Sequence, residues 1–262
     1  MSHEISKKKV VYETPEMNDV IVRRDIEIRT AVQLDLYYPP DWPNNGPRPA
    51  VIIVAGYPDP GFQAALGCRY KEMQSTISWA RLIATVGMVA VTYTTAEPAT
   101  DAHAVFQAVR QNAATLGLDD RRMGVCACSG HVPVALSLLM HDADTHLKCA
   151  ALCYGYMLDL DGATGVSEVA RKVGFANPCA GRSVADLRRD TPLFVVRAGR
   201  DELPHLNETL DRFVAAALAC NLPITIANHA GAPHAFDLFH DSETSREIIR
   251  QILAFLKFHL AA

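Results

Sequence analysis

The chain has 262 residues, 49% of them hydrophobic and 21% charged, with 15 Gly and 15 Pro. That composition excludes a disordered, collagen-like or coiled-coil protein. Its 25 Lys and Arg against 29 Asp and Glu leave a net charge of -4, and no basic block exceeds Lys7-Lys8-Lys9, so the electrostatic footprint of nucleic-acid or anionic-membrane binding is missing.

The polar residues 1–9 lack the apolar stretch of a signal peptide, and no apolar run reaches the roughly 18 residues needed to cross a bilayer. The expectation is a cytoplasmic protein with no membrane partner. Seven cysteines form an odd set, most of them in apolar runs, where a thiol acts as a small hydrophobe and not as half of a disulfide. Cys126-Ala127-Cys128 has the wrong spacing for zinc, with no second Cys/His pair at ligand distance. His103, His141, His146, His205 and His259 are spaced too far apart for a metal site. No metal is expected.

In chain order, residues 20–38 alternate raggedly in an extended pattern closed by Pro39-Pro40, an antiparallel lead-in to a sheet. Short buried-strand runs follow at 50–55, 88–93 and 123–127, rich in Val and Ile and bounded by Gly or Pro. Helical patterns at 73–86 and at 101–116, stopped by Gly117, separate them. The series continues with a helix at 132–140, strands at 149–154 and 193–198, a helix at 207–219, a strand at 224–228 and a helix at 243–259. Such alternation makes a parallel sheet with crossover helices, here as a single domain over 1–262. Residues 155–191 alone break the pattern, with one helix-compatible stretch at 166–173; long insertions of this kind are lids or binding loops.

The run Arg122-Met123-Gly124-Val125-Cys126-Ala127 leads directly into Cys128-Ser129-Gly130 and an apolar helix. A side chain at such a strand-to-helix turn is lifted above the sheet edge, and the N–H of the next residue points where an oxyanion would develop. On these residues the sequence resembles the α/β-hydrolase superfamily, and within it the esterases similar to dienelactone hydrolase. The elbow Ala127-Cys128-Ser129-Gly130-His131 departs from the family pattern at Ala127 and at His131, where glycines are expected.

The resemblance implies an α/β-hydrolase fold: a mostly parallel eight-stranded sheet with helices on both faces and a small lid at about 155–191. It implies the order nucleophile, acid, histidine. Ser129 is the nucleophile; Cys128 is the alternative, set aside because it would shorten the strand before the turn by one residue and reverse its faces. Gly199-Arg200-Asp201-Glu202 ends the strand at 193–198, making Asp201 the acid with Glu202 as its substitute. His234-Ala235-Phe236 follows the strand at 224–228, making His234 the base with His229 as its competitor. The oxyanion donors are the N–H groups of Gly130 and of Tyr57, which lies in Gly56-Tyr57-Pro58-Asp59-Pro60-Gly61, where neither proline has an N–H to give. His131 at the site entrance, with Tyr156 and Met157 from the lid, would contact substrate.

The expected activity is serine hydrolysis of a small or medium carboxylic ester or lactone through an acyl-enzyme, needing no cofactor. The partner is then a small-molecule ester, with homodimer assembly left open. An amidase or acyl-peptide hydrolase on the same fold is the first alternative. The second is a non-catalytic ligand-binding homologue, because one fold hosts many functions.

Overall fold

The inner strands of the sheet are buried on both faces, as strands covered by helices must be, while the two edge strands are partly exposed. The computed structural model describes residues 2–29, 32–44, 46–140 and 147–261. Within them the strands β1 (Ile21–Arg29), β2 (Val32–Tyr38), β3 (Arg48–Ile53), β4 (Val89–Tyr93), β5 (Leu118–Cys128), β6 (Cys149–Cys153), β7 (Leu193–Ala198) and β8 (Ile224–His229) form one sheet of order β1-β2-β4-β3-β5-β6-β7-β8. β2 runs antiparallel to both of its neighbours and every other pairing is parallel. β4 and β6 are buried along their whole length.

The helices are α1 (Ser2–Ile5), α2 (Asp59–Leu66), α3 (Gln74–Thr85), α4 (Pro98–Gln111), α5 (Ala113–Leu116), α6 (Val132–Met140), α7 (Gly165–Val173), α8 (Leu206–Ala219), α9 (Phe236–Phe239) and α10 (Glu243–His259). The chain steps from β3 outward to β4, then crosses back over β3 to β5 and continues through β6, β7 and β8. Right-handed crossovers therefore place α3 on one face and α4, α6 and α8 on the other. In agreement, α3 packs on β4, α4 on α6, α6 on β5 and β6, and α8 on β7. The two directions diverge between the carboxyl ends of β3 and β5, the place where open α/β sheets form their crevice.

Three local features differ from the sequence pattern. The ragged stretch at 20–38 is a hairpin, β1 paired with β2, whose register slips between Arg23 and Ile26; Asp25 adopts φ 53° there, which explains the broken alternation. β5 starts at Leu118, ahead of the expected run, because Arg48 pairs with Leu118 across the charged residues 119–122. The helix anticipated at 101–116 is two helices broken at Asn112, and Gly117 caps the second in the left-handed region, φ 69°.

Residues 154–192, between β6 and β7, contain α7 and a 3-10 turn at Val184–Asp186. They are anchored: Tyr156, Val166, Val169, Ala170, Phe175 and Leu206 form a second apolar cluster against which Tyr57 packs. Among the described residues no helix is long and apolar enough to cross a membrane.

Candidate active site

β5 ends in extended backbone at Cys128, φ -127°. Ser129 then takes φ 54°, a conformation that costs a non-glycine residue about 1–3 kcal/mol and persists only where surroundings impose it. A 3-10 turn, Ser129–His131, leads into α6. The sharp turn thus falls on Ser129 and not on Cys128. Cys128 is the last strand residue, paired with Cys153, and its thiol is pushed up to about 12 by hydrogen bonding with Cys126 and by burial.

Ser129 Oγ lies 2.9 Å from His234 Nε2. On the other side of the ring, Nδ1 lies 2.6 Å from Asp201 Oδ2. An imidazole that donates from Nδ1 to a carboxylate keeps a lone pair at Nε2, so the serine hydroxyl donates to it. The Asp201 side chain is fully buried against the partly exposed His234, and its other oxygen accepts from Leu203 N–H at 3.0 Å. Glu202 is exposed. The two loops are tied through their backbones: Gly199 N–H donates to His229 O (2.9 Å) and Arg200 N–H to Ala232 O (2.8 Å). A Cβ on Gly199 would collide with the Ala230 carbonyl. His229 is buried and bonded to Ser245 Oγ at 3.1 Å, far from the role of competing base. His141 and His146 lie outside the described residues.

Gly56, at the carboxyl end of β3, is held at both polar groups. Its N–H donates to His131 Nδ1 at 2.7 Å, and its carbonyl accepts from Ala176 N–H at 2.8 Å. A Cβ at Gly56 would stand 2.6 Å from His131 Cα, and one at Gly130 would strike the Tyr57 hydroxyl. Close approach therefore demands small residues at 56 and 130, while His131 is tolerated because its ring turns toward the loop after β3. There it stacks on Tyr70 (4.1 Å, 25°) and meets Tyr57 edge-on. His131 is 7% exposed, and burial pushes its imidazole down to about 3, so the ring is neutral with its proton on Nε2. Asp59 pins the same loop, its carboxylate accepting from Thr95 N–H at 2.8 Å and Tyr70 N–H at 3.2 Å.

A cavity of about 790 Å³ opens over Ser129 and His234. Tyr57, His131, Phe62, Met73 and Trp79 line it, with Val173 and Gly174 contributed by the 154–192 segment. Tyr156 and Met157, expected to contact substrate, are not in its wall. Met157 is 0% exposed within the main core; Tyr156 stacks on Phe175 at 5.2 Å and donates its hydroxyl to Pro204 O at 3.1 Å. The physical reason is position: both residues follow β6 into the buried underside of the segment, which reaches the cavity at Tyr154 and at the end of α7.

Sequence reasoning passed over Asp237. It is 2% exposed and lines the cavity, and its carboxylate accepts from Tyr154 OH at 2.6 Å and Trp79 Nε1–H at 2.8 Å. Tyr154 in turn meets the His234 ring edge-on at 5.2 Å. Burial pushes the Asp237 carboxyl up to about 6. Among the described residues no group of three His, Cys, Asp or Glu side chains could hold a metal ion.

Compared by sequence, the chain matches no family model and no curated protein. Its structure is similar to that of a thermostable esterase from Pseudomonas putida ECU1011, with TM-score 0.71 and 18% identity over 95% of this chain and 86% of that one. A thermophilic esterase from the planctomycete Thermogutta terrifontis gives TM-score 0.69 and 18% identity, covering 98% and 97% of the two chains. An α/β hydrolase from a Medee basin deep-sea metagenome gives TM-score 0.64 and 16% identity over 93% and 99%. At these identities the likeness establishes the α/β-hydrolase fold.

Proposed function

We propose that the protein is a serine hydrolase of carboxylic esters, with Ser129 as nucleophile, His234 as general base and Asp201 as the acid that orients it. The observation that carries this reading is the chain of two hydrogen bonds, Ser129 Oγ to His234 Nε2 at 2.9 Å and His234 Nδ1 to Asp201 Oδ2 at 2.6 Å, at the floor of a cavity. The esterases among the structural neighbours support the class of reaction.

A serine hydroxyl is a weak nucleophile at neutral pH, so its proton must leave as the oxygen attacks the ester carbonyl. His234 Nε2 takes that proton, and the buried Asp201 carboxylate stabilises the imidazolium that results. The negative charge formed on the carbonyl oxygen is met by the backbone N–H groups of Gly130 and Tyr57. Donors of this kind act because they are fixed before the reaction, and the clamping of Gly56 by His131 and Ala176 is what fixes the loop carrying Tyr57. Collapse of the tetrahedral species expels the alcohol, which receives the proton from His234. Water, deprotonated by the same imidazole, then releases the acid from Ser129. The mostly apolar cavity suits a small or medium acyl or alcohol group.

Hydrolysis of p-nitrophenyl acetate and butyrate tests the reading. Wild type is expected to turn both over and Ser129→Ala to be inactive; undiminished turnover by a correctly folded Ser129→Ala protein would refute it.

A further inference from the structure

Of all the residues lining the cavity, Asp237 is the one acid, and no Lys or Arg accompanies it. Both of its carboxylate oxygens already accept one hydrogen bond, from Tyr154 and from Trp79. Both donors are neutral, and both rings also line the cavity. Besides its own backbone N–H, the groups that act on the Asp237 carboxyl are Cys128, Tyr154 and Trp79, none of them cationic. An ionised carboxylate offers about four lone-pair directions, and Tyr154, Trp79 and the residue's own backbone N–H take up three of them. A buried charge without a countercharge is costly, and proteins pair such groups. A cation that enters the cavity supplies that countercharge.

On the reading of this site as an esterase, we propose that its substrates are esters bearing a protonated amine, whose ammonium group docks on the cavity side of the Asp237 carboxylate. The carboxylate supplies the charge pair. The indole N–H and the phenol O–H hold that carboxylate in place, and Met73, Leu238 and Phe239, which also line the cavity, accept the methylene chain that links the amine to the ester. A neutral ester of the same length fills the same apolar space but leaves the carboxylate unpaired, so the site discriminates by charge and not by size.

The experiment compares hexylammonium with 1-hexanol as competitive inhibitors of p-nitrophenyl acetate hydrolysis, at pH 7.5 and fixed ionic strength, in wild type and in Asp237→Asn. Asparagine keeps the shape and can still accept from Trp79 while donating to the Tyr154 oxygen. In wild type hexylammonium is expected to inhibit at least about tenfold more tightly than hexanol, and in Asp237→Asn that ratio is expected to fall to near one. A ratio near one in wild type overturns the proposal, and so does a ratio that survives in Asp237→Asn, since the cation would then sit elsewhere. Quenching of Trp79 fluorescence by the same two compounds, in a Trp42→Phe background because the chain has two tryptophans, gives the ratio without turnover. Ammonium-selective quenching in a protein that hydrolyses no ester would refute the esterase reading while leaving the subsite standing; hydrolysis without selectivity would do the reverse.

Discussion

Replacing His131 by asparagine separates a titration from a packing contact. The Oδ1 of asparagine can occupy the place of His131 Nδ1 and accept the Gly56 N–H, but it cannot take up a proton. In wild type the imidazole is held down to about 3 against an ordinary value of 6.5, with burial as the cause. A histidine whose folded value is depressed contributes stability that is fully present above pH 6.5 and is lost as pH falls toward 3, because the unfolded chain binds the proton first. Each pH unit across that window is worth about 1.4 kcal/mol. At pH 4.5 the loss is about 3 kcal/mol, and it grows to about 4 kcal/mol by pH 3. The assay is urea denaturation of wild type and His131→Asn at pH 7 and at pH 4.5. The variant pays a constant cost for the lost stacking on Tyr70, but its stability falls about 3 kcal/mol less than that of wild type between the two pH values. Titrating groups elsewhere act equally on both proteins and cancel in the difference. Equal losses in the two proteins would refute the placement of a neutral, buried His131 against Gly56.

Asp237→Asn tests a shift of opposite sign: a carboxyl raised from 3.8 to about 6 makes wild type lose about 2 kcal/mol as pH climbs from 4 to 7. The asparagine variant lacks that loss, and parallel denaturation curves would contradict it. Met157→Ala, at a residue with no exposed surface, is expected to cost about 2–5 kcal/mol of stability, measured by urea denaturation; a negligible change would return Met157 to the cavity wall. His234→Ala is expected to lower ester turnover by about a hundredfold to ten-thousandfold, whereas His229→Ala lowers stability through its lost bond to Ser245 and leaves turnover per folded molecule largely intact. The opposite ranking in steady-state assays would move the base.

The parallel strands are legible in the sequence because burial on two faces leaves continuous Val, Ile and Ala runs such as 50–53 and 89–91. The start of β5 is not, since the charged residues 119–122 fall in the register shift between the pairs Arg48–Leu118 and Ala50–Met123. α2 is hidden behind Pro58-Asp59-Pro60-Gly61, which reads as a turn although proline in a first helical turn is a start signal. Within the site, Ser129, Asp201 and His234 are readable from chain order and from the turns that carry them, and the structure brings all three within hydrogen-bond reach. The partners of His131 and Asp237 are not readable. Gly56 and His131 are 75 residues apart, and Trp79 and Asp237 158 apart, so only tertiary packing reveals what each side chain bonds to. For Asp237 a local signal existed, in its place three residues after His234. Tyr156 and Met157 were misplaced because an aromatic–methionine pair after a strand suits a core and a pocket equally well.

The central claim is that Ser129 is the reactive nucleophile. A fluorophosphonate probe reacts covalently with a serine only when an adjacent base activates it, so mapping the labelled peptide by mass spectrometry reads the claim directly. Stoichiometric label on Ser129, absent after His234→Ala or Ser129→Ala and undiminished in Cys128→Ala, is the predicted result. An unlabelled Ser129 in folded protein, or hydrolysis that iodoacetamide abolishes through Cys128, would contradict it.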